Sequence, residues 1–98
     1  MATNIEFLKT LESIISDRLA EGSDNSYTAR LAAEGSKRIA QKVGEEGVEL
    51  ALAAVAGERE EQLNEAADLV FHLLVLLRSQ NLSLADVAEV LQQRHESR

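Results

Sequence analysis

Five carboxylates lie in one stretch of the sequence, within runs of Ala, Val and Leu that are typical of a protein core. A carboxylate among apolar side chains is costly to desolvate unless a positive charge compensates it. This conflict makes the stretch the place where the sequence can do chemistry. A glycine at position 57 divides the five acids, which are Glu45, Glu46, Glu49, Glu65 and Asp68.

The elements that carry these acids are predicted to be helices. Apolar residues recur at three- and four-residue spacing, and strand-like alternation is weak. Gly, Ser and Asn punctuate the chain and predict five helices, over residues 4–21, 27–33, 37–56, 59–80 and from 83 onward. Ser26, Ser36 and Ser83 are the expected N-caps. Short breaks between helices favour an all-α antiparallel bundle.

Length and composition favour one small domain. The chain has 98 residues, of which 45% are hydrophobic and only 3% aromatic, so residues 1–98 are expected to form a single domain. The third and fourth helices are apolar over more than half of their circumference, which predicts that both are largely buried. A chain this short buries a modest fraction of its surface, so an oligomer is expected.

Charge and composition exclude several partners. A net charge of −7 disfavours nucleic acid, since binding to its backbone needs clustered Lys and Arg. The absence of Cys excludes disulfides and thiolate metal sites. The N-terminus lacks the pattern of a signal peptide, and the longest nearly uncharged apolar run falls far short of the roughly 20 residues of a membrane span. We therefore expect a cytoplasmic protein without a membrane partner.

Helical geometry brings the acids together. Each residue advances by about 100° and rises by about 1.5 Å, which places the acids on one stripe of each middle helix. If the two helices pair as a hairpin that turns at residues 57 and 58, Glu49 lies level with Glu65 and Glu46 with Asp68, to within one residue. Such a cluster repels itself at neutral pH unless cations bind or some of its members stay protonated.

The expected ion is a hard divalent cation. An all-oxygen donor set suits Mg²⁺, or alternatively Mn²⁺. Since Mg²⁺ also takes up phosphate oxygens, the natural substrate is a di- or triphosphate. Arg38 and Lys42 precede the acids on the same stripe and are candidates to hold the phosphates that the metal does not reach.

Other interpretations stay open at this point. Glutamates on a helix are usually a solvated face, in which case the chain is a non-catalytic dimeric helical module. A di-iron bundle requires Glu-x-x-His on each of two helices, whereas position 68 is Asp and His72 lies four residues beyond it. We interpret His72 as a helix-face histidine or a partner of a ligand rather than as a ligand.

The acidic residues also carry a resemblance. Glu46-x-x-Glu49 followed by Glu65-x-x-Asp68 resembles the motif of the MazG-type all-α nucleoside triphosphate pyrophosphohydrolases. More narrowly, three blocks resemble the phosphoribosyl-ATP pyrophosphohydrolase family of histidine biosynthesis: Ser-Tyr-Thr at 26–28, Lys-Val-Gly-Glu-Glu at 42–46, and Glu-Ala-Ala-Asp at 65–68 with His-Leu-Leu at 72–74. The resemblance covers residues 5–91, and the length suits a stand-alone enzyme without a cyclohydrolase domain. Gly47 and Phe71 depart from the Ala and Tyr of many members.

The resemblance implies an activity and roles for the residues. Water would attack the α–β phosphoanhydride of phosphoribosyl-ATP, giving phosphoribosyl-AMP and pyrophosphate, and the helical bundle would be completed by homodimerisation. Glu45 would bind metal or help to orient the water. The implied catalytic residues are Glu45 and Glu46. The implied Mg²⁺ ligands are Glu46, Glu49, Glu65 and Asp68. The implied substrate contacts are Lys42 and Arg38 to phosphates and Tyr27 and Thr28 to base or ribose. A house-cleaning pyrophosphohydrolase for non-standard nucleotides remains the alternative.

Overall fold

The structure consists of helices joined by short connections. The computed structural model describes residues 4–22 and 26–97. After a 3₁₀ turn at Asn4–Glu6, the helices of these ranges are α1 (Phe7–Glu21), α2 (Tyr27–Ala33), α3 (Ser36–Ala56), α4 (Arg59–Ser79) and α5 (Leu84–Glu96). No strand occurs in the two described ranges. The predicted all-α class is confirmed.

Two of the predicted N-caps are confirmed. The Ser26 hydroxyl accepts the backbone N–H of Ala29 at 3.1 Å, and thereby starts α2. At α5, Ser83 and Asp86 form a reciprocal capping box, in which each side chain accepts the backbone N–H of the other residue at 3.1 and 2.9 Å. Such caps satisfy N–H groups that have no partner within the helix.

The prediction that Ser36 caps α3 is wrong. Ser36 is the first residue of the helix, and Gly35 occupies the N-cap position with φ of 96°. Few residues other than glycine adopt this backbone conformation. Instead, the Ser36 hydroxyl lies 3.5 Å from Gln80 Nε2 at the end of α4. The Ser36 side chain therefore contacts another helix and does not cap its own. Helix α4 itself ends at Ser79, one residue earlier than predicted.

The core lies where α1 and α2 meet the first part of α3 and the last part of α4. Its fully buried members come from all four helices, and half-buried apolar side chains such as Leu11 and Phe71 surround them. Arg78 adds a polar tie between helices, because its Nε donates to the Ser16 hydroxyl at 2.8 Å. The buried cluster consists of Ile15, Leu31, Ile39, Leu74 and Val75.

Helices α3 and α4 form an antiparallel hairpin, with Ser36 close to Gln80 at one end and Glu49 close to Glu65 further along. The prediction that both helices are largely buried is wrong for the single chain. The part of the hairpin near its turn exposes Leu52 by 64% and Val55 by 87%. The physical reason is that the core formed with α1 and α2 lies at the opposite end of the hairpin, around Ile39 and Leu74. We call the outward residues Val48, Leu52 and Val55 of α3 the apolar face.

None of the helices in the described part of the chain combines the length and the hydrophobicity that crossing a bilayer requires.

Candidate metal centre

Three carboxylates from the two hairpin helices converge on one point. Glu46 and Glu49 lie one turn apart on α3, and Glu65 faces them from α4. One carboxylate oxygen can be chosen from each of the three side chains so that all three oxygens lie within 4.8 Å of one another. We call these three residues the carboxylate cluster. The predicted hairpin register is confirmed for Glu49 and Glu65.

The cluster contains buried oxygens that no hydrogen bond satisfies. Glu46 is only 5% exposed, although it carries a charge when ionised. Within the described residues, Glu46 Oε2 and Glu65 Oε2 are both buried and lack a hydrogen-bond partner. A buried polar atom without a partner costs free energy, and a charged one costs more. These two oxygens therefore fit a cation that accepts carboxylate ligands.

Lys42 supplies part of the missing positive charge. Its ammonium lies 3.2 Å from Glu46 Oε1 and 3.7 Å from Glu45 Oε1. The pKa of Lys42 is raised above its usual range, chiefly because the ammonium hydrogen-bonds to the Glu46 carboxylate. Glu45 is exposed and also accepts a hydrogen bond at 2.9 Å from the Gln41 amide. The ammonium reaches only one Glu46 oxygen and leaves the other without compensation.

Crowding within the cluster changes the affinity of Glu49 for protons. The pKa of its carboxyl group is raised, chiefly because the Glu46 carboxylate accepts a hydrogen bond from its protonated form and, to a smaller extent, because Glu65 does the same. Both neighbours also repel its ionised form. Glu49 is exposed to solvent, unlike Glu46, so burial contributes less than its two neighbours. A bound cation reverses this balance, since it favours the ionised form.

The other residues that the sequence predicted for the site lie outside the carboxylate cluster. Asp68 is exposed and is not part of the carboxylate cluster, so its role as a ligand stays a prediction. Arg38 is half-buried one turn before Lys42. Thr28 is 6% exposed and packs inside the chain, and its contact with substrate likewise stays a prediction.

Tyr27 has a partner that the sequence did not assign. Its hydroxyl lies 2.8 Å from Nε2 of His72, which is buried on α4. The two residues are 45 positions apart, so no local pattern connects them. The available signal was that His72 continues the stripe of Glu65 and Asp68 on α4, which supports its interpretation as a partner of the site rather than a ligand.

Together, the fold and the site define an all-α hairpin domain whose facing carboxylates suit a divalent cation. The sequence profile of the phosphoribosyl-ATP pyrophosphohydrolase family matches residues 8–95. The chain therefore belongs to this family, whose members are hydrolases that act on a phosphoanhydride bond.

Relatives support the same assignment. Histidine biosynthesis bifunctional proteins HisIE match the chain at 56% identity in Photobacterium profundum and in Escherichia coli (strain K12), and at 54% in Yersinia pestis. The alignments cover 91%, 92% and 97% of this chain but 43%, 44% and 47% of those proteins, respectively. The chain thus spans less than half the length of these bifunctional relatives.

Proposed function

We propose that this chain hydrolyses phosphoribosyl-ATP to phosphoribosyl-AMP and pyrophosphate in histidine biosynthesis, with Mg²⁺ as its cofactor. Family membership supports the reaction, and the names of the relatives support the pathway. Because the substrate of this pathway is a small nucleotide, we place the activity in the cytoplasm. Neither a nucleic acid nor a membrane is part of the proposal.

One observation carries the metal proposal: two buried carboxylate oxygens in the carboxylate cluster lack a partner. Glu46, Glu49 and Glu65 would hold the ion, with Asp68 as the fourth ligand that the sequence motif predicts. Mn²⁺ satisfies the same all-oxygen chemistry. A bound ion would polarise phosphoryl oxygens, neutralise developing charge and lower the pKa of a bound water.

The basic residues are proposed to bind phosphate. The Lys42 ammonium pairs with Glu46 in the structure. A cation on Glu46 would compensate that carboxylate and leave the ammonium available to substrate oxygens. Arg38, one turn earlier on α3, would bind a phosphate further along the chain of the substrate. Glu45, which is exposed beside Lys42, would orient the attacking water.

We also propose that two copies of the chain form a homodimer through the apolar face. Val48, Leu52 and Val55 recur at helical spacing on α3, and all three are exposed in the single chain. Exposed apolar surface that is contiguous favours burial against a partner. A second copy is the proposed occupant, because a chain of 98 residues buries only a modest fraction of its own surface.

The test is pyrophosphate release from phosphoribosyl-ATP by the purified chain, with Mg²⁺ and with EDTA. We expect turnover only with the ion. Glu49→Gln and Glu65→Gln should lower kcat by at least about 100-fold, because even residues that merely support a ligand cost roughly 10–100-fold. Glu89→Gln, the same change at an exposed site on α5, is the matched control. Normal turnover in the two cluster variants would refute the assigned ligands.

Substrate competition tests the specificity. Faster hydrolysis of dUTP or dCTP than of phosphoribosyl-ATP would refute the assigned substrate while leaving the metal centre in place. Calorimetric titration with Mg²⁺ alone tests the centre independently. Absence of both binding heat and thermal stabilisation at millimolar Mg²⁺ would refute it.

A further inference from the structure

The Tyr27 and His72 side chains form a pair that joins α2 to α4. Their rings meet edge to face with centroids 5.7 Å apart, and Phe71 packs edge to face on His72 at 5.2 Å. His72 is buried, whereas Tyr27 is 44% exposed. The pair therefore has one member fixed inside the chain and one that reaches solvent.

The hydrogen bonds of His72 fix which nitrogen carries the proton. Nδ1 lies 2.8 Å from the backbone carbonyl of Asp68, one turn earlier on α4. A carbonyl oxygen can only accept, so in the neutral ring Nδ1 must be the donor. Nε2 is then an acceptor, and the hydroxyl of Tyr27 at 2.8 Å must donate to it.

The direction of this hydrogen bond determines what Tyr27 can offer a ligand. Once its proton points at Nε2, the phenol oxygen has only lone pairs left. Such an oxygen cannot donate to a phosphate oxygen. It can accept from a hydroxyl of a ribose or from an amino group of a base, and these are the donor groups of a nucleotide.

The exposed end of Tyr27 lies beside the proposed active site. Its hydroxyl contacts His72, and His72 lies one helical turn beyond Asp68 on α4, where it is hydrogen-bonded to the Asp68 carbonyl. Asp68 is the fourth metal ligand that the sequence motif predicts. His72 therefore connects Tyr27 to the stripe of α4 that carries Glu65 and Asp68.

We propose that His72 is a positioning residue, which holds the Tyr27 phenol as a hydrogen-bond acceptor for a hydroxyl or amino group of the nucleoside part of the substrate. This inference deepens the proposed function and rests on it. The resemblance implies the contact of Tyr27 with base or ribose, and the inference adds that His72 sets the hydrogen-bond polarity of that contact.

Steady-state kinetics with phosphoribosyl-ATP test the proposal. Tyr27→Phe and His72→Leu should each raise KM roughly threefold to tenfold, as expected for one hydrogen bond, with kcat within about twofold. The double variant should be no worse than either single variant, because both remove the same interaction. His72→Gln, which retains an acceptor, should recover most of the loss. His95→Leu, at the exposed histidine of α5, is the control.

Two outcomes would overturn the proposal. If Tyr27→Phe and His72→Leu lower the melting temperature but leave KM unchanged, the pair serves only to join α2 to α4. If their effects on KM multiply in the double variant, the two residues act separately.

Nitrogen NMR of the histidine ring tests the tautomer without substrate. The chain has 2 His, so the His95→Leu variant leaves His72 as the single ring to observe. We expect the proton on Nδ1, both in this variant and after the further change Tyr27→Phe, since the Asp68 carbonyl sets it. A proton on Nε2 would refute the inference.

The design separates failure of the inference from failure of the proposed function. An active chain whose Tyr27→Phe variant has an unchanged KM refutes the inference alone. A chain that does not hydrolyse phosphoribosyl-ATP refutes the proposed function, and calorimetric titration of wild type and Tyr27→Phe with ATP and Mg²⁺ then decides the inference. Equal Kd values would overturn it, and a roughly threefold to tenfold weaker Kd in the variant would support it.

Discussion

The ammonium of Lys42 lies 3.2 Å from one oxygen of Glu46, while the other oxygen of the same carboxylate is buried with no hydrogen-bond partner in the described structure. The two halves of one side chain therefore differ in their electrostatic environment. The Lys42 ammonium pairs with one Glu46 oxygen before any ion binds, and the second oxygen retains its capacity to bind a cation. This division determines how the site should respond to mutation of Lys42 and to binding of a cation.

Removal of the ammonium should destabilise the metal-free protein. In Lys42→Met the Glu46 carboxylate loses its ion pair at a position where the two side chains are 22% and 7% exposed. We expect a loss of about 1–3 kcal/mol in the free energy of unfolding, because a largely buried charge is left without a partner. Urea denaturation in EDTA measures it.

Mg²⁺ should restore more stability to Lys42→Met than it adds to the wild type, since the ion takes over the role of the ammonium. Lys37→Met, at an exposed position near the start of α3, is the control and should change little. An equal loss in both variants would show that the Lys42 pair contributes nothing specific.

The metal-free protein should become less stable as the pH rises above 4.5, the ordinary pKa of a Glu, through the raised pKa of Glu49. In this window the folded chain binds more protons than the unfolded chain, so the slope of stability against pH is negative. Denaturation at a series of pH values in EDTA measures the effect as the difference between wild type and Glu49→Gln. Mg²⁺ should reverse the sign of this difference, because the ion favours the ionised form of Glu49 in the folded chain. An unchanged slope in Glu49→Gln would contradict the assignment.

Two glycine-to-alanine substitutions on the hairpin should have opposite effects. A Cβ at Gly57 would lie 2.8 Å from the Ala53 carbonyl oxygen, so the turn must shift. Gly57→Ala should therefore cost about 1–3 kcal/mol. A Cβ at Gly47 meets no atom within 4 Å, and Gly47→Ala should stabilise α3 by up to about 1 kcal/mol. Thermal unfolding of the two variants compares them, and destabilisation by Gly47→Ala would show that this position is covered in the assembled protein.

Introduction of a charge on the apolar face should dissociate the proposed homodimer. Leu52→Glu places a carboxylate in the centre of that face, and its desolvation cost opposes association. Light scattering coupled to gel filtration should report a dimer for the wild type and a monomer for the variant. Leu82→Glu, at an exposed leucine between α4 and α5, should leave the dimer intact. A monomeric wild type would refute the dimer directly.

Local sequence chemistry predicted much of the fold, because caps and turns act over a few residues. Ser26 and Ser83 accept N–H groups three residues ahead, which is a short-range interaction. Ser36 differs because Gln80, 44 positions away, lies against its hydroxyl. The exposure of Leu52 was likewise unpredictable from its helix alone, since it depends on how far α1 and α2 reach along the hairpin.

The site was predictable to the extent that helix geometry fixes it. Glu49 and Glu65 meet because two regular helices and a short turn determine their register. The placement of Asp68 outside the cluster and the burial of Thr28 depend on side-chain packing, which spacing does not specify. The hydrogen bond between Tyr27 and His72 depends on the docking of α2 against α4, and this docking leaves no periodic signal in the sequence.

The position of the core at one end of the α3–α4 hairpin has a consequence for local unfolding. Backbone amides near Leu74 lie among fully buried side chains and should exchange with solvent deuterium only through global opening, whereas those near Val55 and Leu63 should exchange through smaller fluctuations. The carboxylate cluster lies between the core end of the hairpin and its turn. A cation that binds carboxylates of both helices should therefore slow amide exchange mainly in the part of the hairpin near its turn. The substrate site would then become more rigid when the ion and the substrate bind.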